Sequence, residues 1–234
     1  MLKTLQKHPW NRILFSLLGI LLFWSINTQP VQAQTPNADL PRLDGEATVV
    51  MTLAGSGDSI TMRIRGDKAP ITAGNFIDLI DKGIYDSTVF HRVVREPQPF
   101  VVQGGDPQSV DPSFPAARLG TGGYIDPLTG KERTIPLEFS VVGADAPIYE
   151  RTLRRRELPS LRHKRGAVAM ARSNRPNSAS SQFYIALQEL DFLNGNYAVF
   201  GEVTAGMDVV DQIQQGDRIA TITVTSGITN LIRP

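Results

Sequence analysis

The residues best suited to chemistry in this chain lie in the stretch "TVFHRVVREPQPFVVQGGD", Thr88 to Asp106. Taken in twos, Val89, His91 and Val93 point one way and Phe90, Arg92 and Val94 the other, which is the alternation of a strand. That pattern puts Arg92 on one face with Phe90 and Val94, just ahead of the apolar run "FVVQGG". An arginine keeps its proton and presents its donors in a rigid fork. Among apolar neighbours it is a fixed hydrogen-bond donor whose field is strengthened by its surroundings.

Other chemistry finds less support. Of the three histidines, His8 lies in the N-terminal segment, while His91 and His163 are far apart and show no ligand spacing, so no metal site is expected. There is no G-x-S-x-G elbow, no Walker loop and no H-E-x-x-H. The glycines of "QGGD" and "GTGGY" do not visibly open a helix, and tight turns explain them better than phosphate loops. "RPNSASSQ" offers serines without a base and reads as a polar loop. The chain has no cysteine, which excludes disulfides, thiol catalysis and cysteine metal sites.

The elements that must position Arg92 follow from periodicity. "ATVVMTL" and "SITMRI" flank the glycine-rich "AGSGD" and predict a hairpin. "APITAGNFIDLIDKG" predicts a helix, with Pro70 at its first turn, Ile71, Phe76, Ile77 and Ile80 on one side, and Gly83 as a stop. A turn-rich region from Asp106 to Arg165 follows, with "IPLEFS" as a candidate strand. Beyond it, "GAVAMA", "SQFYIAL" and "YAVFGEV" are apolar strands, "MDVVDQIQQG" a second helix and "RIATITVT" a last strand. Many short strands with two helices indicate an antiparallel barrel or sandwich rather than a βαβ fold.

The first 33 residues read as an export signal. Lys3, Lys7 and Arg12 form a basic region, an apolar run of about 14 residues spans Ile13 to Ile26, and Val31-Gln32-Ala33 is a small-residue cleavage site. The run falls short of the roughly 20 residues that span a bilayer, so cleavage after Ala33 is expected, an uncleaved anchor being the alternative. Residues 34–45, "QTPNADLPRLDG", read as a linker, and 46–234 as one domain with an inserted basic loop at about 143–165. Removing three of the 24 basic residues leaves 21 against 23 acidic, a formal charge of about −2, which does not favour nucleic acid. Export without cysteine suits a periplasm or a related lumen, the thylakoid lumen included.

Five separated motifs, "FHRVV", "FVVQGGD", "GTGG", "AMARS…PN…SSQFYIAL" and "DFLNGNYAVFGEV", occur in one order, and together they resemble the cyclophilin family of peptidyl-prolyl isomerases. The likeness covers roughly Glu46 to Val224. It implies a closed eight-stranded antiparallel barrel capped by two helices, with the site on its outer face. Carried across by position, it implies Arg92 and Gln103 as catalytic residues. Phe100, Val101, Gly120, Ala171, Arg172, Ser173, Gln182, Tyr184, Phe192, Leu193 and Tyr197 are implied as substrate-binding residues.

The resemblance also implies the activity: rotation of X-Pro peptide bonds in exported proteins, by a monomer that needs no cofactor or metal. The alternative is a non-catalytic module or assembly chaperone that holds proline-containing chains in the same groove. Phe192 stands where many eukaryotic members have tryptophan and Tyr197 where they have histidine, both as in the bacterial branch. Arg172-Ser173 replaces a more usual Asn-Ala. The segment Arg151 to Arg165 carries seven basic residues and one acid, which suits an acidic partner or an anionic membrane surface.

Overall fold

The computed structural model describes residues 37–234, so the expected signal and its cleavage site lie outside the described residues. The main sheet is built from β2 (Glu46–Leu53), β3 (Ser59–Arg65), β4 (Arg92–Val94), β5 (Val101–Gly104), β8 (Ala167–Met170), β9 (Phe183–Ala186), β10 (Val199–Ala205) and β11 (Ile219–Ser226). Two small pairs stand apart from it: β1 (Arg42–Leu43) with β12 (Leu231–Ile232), and β6 (Glu138–Phe139) with β7 (Ile148–Tyr149). The helices are α1 (Pro70–Asp81) and α2 (Met207–Gln212).

In the main sheet the strand order is β11-β2-β3-β10-β8-β9-β5-β4, with every pairing antiparallel. The alternation of β2 and β3 sends Val49, Met51, Ile60, Met62 and Ile64 into the core. There they meet Phe76 and Ile77 of α1, with Tyr85, Phe183 and Phe200 packed around Phe76. The apolar runs of β8 and β9 are buried along their whole length, because the core covers one face and a second apolar cluster the other. Pro70 opens α1 as expected, and the buried Glu138 carboxylate caps it from afar, accepting from Ile71 N at 3.2 Å and Thr72 N at 2.8 Å.

Three expectations are corrected. The sheet is an open half-barrel of eight strands and not a closed barrel. Between its edges one bridge, Val89 with Arg218, replaces a ladder, because β4 has only three residues and begins beyond that contact. Part of the supposed linker is structural. Leu43 is fully buried in β1, and Gly74 is required opposite it, since a Cβ there would collide with the Arg42 backbone. Phe90 and Arg92 do not share a face. The chain at Phe90 bonds to Asp217 and Gly216, and the β4 ladder starts only at Arg92, so Phe90 enters the core while Arg92 stays exposed.

Candidate active site

Register across four strands, β4, β5, β9 and β8, builds the centre of the site. Arg92 pairs with Gln103, Gln103 with Tyr184 and Tyr184 with Ala169, so these side chains form one row on the outer face. Their neighbours Val102, Ile185 and Val168 point inward and are fully buried. Arg92 Nη1 donates to Gln103 Oε1 at 3.2 Å, Gln103 Nε2 to Gln182 Oε1 at 3.1 Å, and Gln182 Nε2 to the Gly122 carbonyl at 2.7 Å. The guanidinium lies 5.4 Å from the centre of the Phe100 ring. Among the described residues no carboxylate pairs with Arg92, which argues against an ordinary surface ion pair.

Beside this row lies a cavity of about 250 Å³, lined by Arg92, Phe100, Val101, Gln103, Ala171, Arg172, Tyr184, Leu193 and Tyr197. A larger cleft of about 800 Å³ shares Gln103, Ala171 and Arg172 with it and takes in Gly120, Ser173 and Gln182. Phe192 lines neither; it stands 68% exposed at the rim with its ring stacked on Phe100 at 6.0 Å. Arg172 is held in place, its guanidinium 4.7 Å from the Tyr197 ring centre and bonded to the carbonyls of Asn196 and Ser173. The serine-rich loop satisfies itself, with Ser173 and Ser178 hydroxyls 2.8 Å apart.

The glycine motifs form tight turns tied together by a single acid. Asp106 is fully buried, and its carboxylate accepts from Gly120 N at 2.6 Å, Gly122 N at 3.2 Å and Gln108 N at 2.9 Å. Gly120 has φ +90, and a Cβ on it would stand 3.2 Å from the His91 ring beneath. Burial lowers the His91 pKa from its usual value.

Sequence reasoning passed over His163. It sits at the end of the insertion, yet it is 1% exposed and its Nε2 lies 2.8 Å from the Tyr184 hydroxyl. Burial pushes the Tyr184 phenol up and the His163 imidazole down. No spacing in the sequence relates the two residues, since the contact depends on how the insertion folds back.

An antiparallel half-barrel with two helices and a groove on its outer face defines a cyclophilin-like fold. A solved cyclophilin type peptidyl-prolyl cis-trans isomerase of Cryptosporidium parvum matches it with a TM-score of 0.56 at 24% identity, over 77% of this chain and 98% of that one. The same protein was also solved in the presence of the dipeptide Ala-Pro.

The chain belongs to the cyclophilin type peptidyl-prolyl cis-trans isomerase/CLD family, whose family model matches residues 48–230. A Brucella abortus protein named as a peptidyl-prolyl cis-trans isomerase is 39% identical over 74% of each chain. A Synechocystis protein named as a thylakoid lumen peptidyl-prolyl cis-trans isomerase is 38% identical over 97% of this chain. The chloroplastic isomerase CYP38 of Arabidopsis thaliana is 36% identical over 88% of it. The chain spans only 59% and 48% of the length of the last two.

Proposed function

We propose that this chain is a peptidyl-prolyl cis-trans isomerase that acts on proline-containing segments of exported proteins. The observation that carries this reading is an arginine, paired with no carboxylate among the described residues, at the edge of a cavity walled by Phe100, Tyr184 and Leu193. Family membership and the names of the relatives support the same activity.

A peptide bond before proline turns slowly because rotation breaks amide resonance, against a barrier of about 18–20 kcal/mol. At about 20 kcal/mol the rate is on the order of 0.01 per second. In the twisted state the proline nitrogen becomes pyramidal and exposes a lone pair. Arg92 donates to that lone pair and opposes its return to the carbonyl. A charge-assisted hydrogen bond made only in the twisted state contributes about 1.5–3 kcal/mol, or about ten- to over a hundredfold in rate. Phe100, Val101, Tyr184 and Leu193 hold the proline ring, while Gln103 and Gln182 bind the rotating carbonyl or the substrate backbone. Selective binding of the twisted chain supplies the remainder.

Residues 1–33 act as a cleaved signal that delivers the chain to a lumen or periplasm, and the lumenal and chloroplastic names of two relatives support this. Within the basic segment Arg151, Arg162 and Arg165 are paired with Glu157, Asp191 and Asp211. Arg154, Arg155, Arg156 and Lys164 are exposed and serve an acidic partner or an anionic membrane surface. The test of the mechanism is Arg92→Ala, expected to lower turnover at least about tenfold with the fold intact, while Arg92→Lys restores little because a point charge does not copy the fork. Wild-type turnover in both variants would overturn the arginine mechanism.

A further inference from the structure

We infer that His163 is a positioning residue for the proline pocket, and that the inserted segment braces the site through it. The inference rests on the isomerase reading for the identity of the pocket, but the bracing contacts are independent of it. Asn194 Nδ2 donates to Asp191 Oδ1 at 2.8 Å, which turns Asn194 Oδ1 toward His163. That oxygen accepts from the His163 backbone N–H at 2.9 Å and faces Nδ1 at 3.0 Å. The proton therefore resides on Nδ1, Nε2 is an acceptor, and the Tyr184 hydroxyl donates to it across 2.8 Å. The imidazole and the Tyr184 ring are also nearly parallel, with centroids 6.0 Å apart and planes 14° apart.

This arrangement fixes two walls of the cavity at once. Tyr184 is 5% exposed, with His163 on one side and Tyr197 at its edge on the other, so its ring cannot shift without leaving a buried hydroxyl unpaired. The turn that carries Leu193 is bound to the same segment: Leu190 N donates to the His163 carbonyl at 2.8 Å, and Leu153 N to the Gly195 carbonyl at 2.9 Å. The Arg162–Asp191 pair at 2.6 Å also spans this junction, but both side chains are about half exposed and such pairs contribute little. The buried imidazole is thus the firm element of the brace, and it acts on substrate only through Tyr184 and the 190–195 turn.

The experiment is a double-mutant cycle of His163→Phe and Tyr184→Phe in the whole protein. It is read as kcat/KM on an X-Pro peptide and, separately, as the Kd of that peptide by NMR. His163→Phe preserves a ring but strips the Tyr184 hydroxyl of its acceptor and leaves Asn194 Oδ1 with the backbone N–H alone, and kcat/KM is expected to fall about tenfold. In the Tyr184→Phe background, which has no hydroxyl to orphan, the same change is expected to cost about threefold or less. Equal costs in both backgrounds, or no cost in either, would overturn the proposal.

Asn194→Ala is the second variant should His163→Phe not fold; a loss of several-fold is expected, and unchanged kinetics would contradict the brace. Nitrogen-15 spectra of the wild type are expected to show a neutral His163 protonated on Nδ1, and a proton on Nε2 would contradict it. If the wild-type protein shows no turnover, the isomerase reading fails, while coupling in the peptide Kd still decides the brace.

Discussion

Replacing Asp106 by alanine removes the acceptor of three backbone N–H groups, those of Gln108, Gly120 and Gly122. Each bond to a charged acceptor contributes about 1.5–3 kcal/mol. The full sum is not expected, because Gly120 is exposed and Gly122 half-buried, so water replaces part of what is lost. A cost of about 2–4 kcal/mol follows, large for one substitution but of a named kind. Function should suffer as well. The Gly122 carbonyl accepts from Gln182, which accepts from Gln103, which accepts from Arg92, so a slack turn loosens the guanidinium three bonds away. Turnover should fall about tenfold under conditions where the variant is still folded. Asp106→Asn keeps one acceptor oxygen and should lie between the two. Urea unfolding with an unchanged slope measures the first effect, and isomerase kinetics the second. An alanine variant within about 0.5 kcal/mol of wild type and with wild-type turnover would refute the role given to Asp106.

The resemblance to cyclophilins implies inhibition by cyclosporin, to which the tryptophan of many eukaryotic members can donate a hydrogen bond; Phe192→Trp should therefore tighten such inhibition between a few-fold and about a hundredfold, since the indole adds the donor that phenylalanine lacks, and titration of inhibition checks this. Burial depresses the His163 pKa, so below the usual value of about 6.5 the unfolded chain binds the proton more readily than the folded one. Stability should therefore fall as pH drops below about 6.5, and His163→Phe should flatten part of that slope in urea midpoints measured against pH; Asp191, Asn194 and Tyr184 are the groups facing the ring. Changing Arg154, Arg155 and Arg156 to glutamate should abolish salt-sensitive binding to anionic liposomes or acidic partners while sparing turnover on a short peptide, and unchanged binding would dispose of that surface.

Much of the scaffold was legible because its causes are local. The two-residue period of β2 and β3, the proline at the start of α1 and the unbroken apolar runs of β8 and β9 each record which faces are buried. The candidate residues of the site were drawn from five motifs that agree in order, and all of them but Phe192 line the two adjoining cavities. What escaped was set by distant contacts. The alternation through Phe90 and Arg92 looked continuous, but the pairing of Phe90 with Asp217 and Gly216 resets its phase. Leu43 looked like linker because its partner, Leu231, lies near the other end of the chain. His163 carried no signal, since its value depends on Asn194 and Tyr184 closing around it.

The central claim is that this chain rotates X-Pro bonds. NMR exchange between the cis and trans forms of an X-Pro peptide, with the protein present in substoichiometric amount, measures that rotation without a coupled reaction. The expected result is exchange far above the uncatalysed rate of on the order of 0.01 per second, lost in large part in Arg92→Ala. Peptide binding with exchange no faster than in its absence would contradict it, and would leave a protein that holds proline-containing chains without turning them.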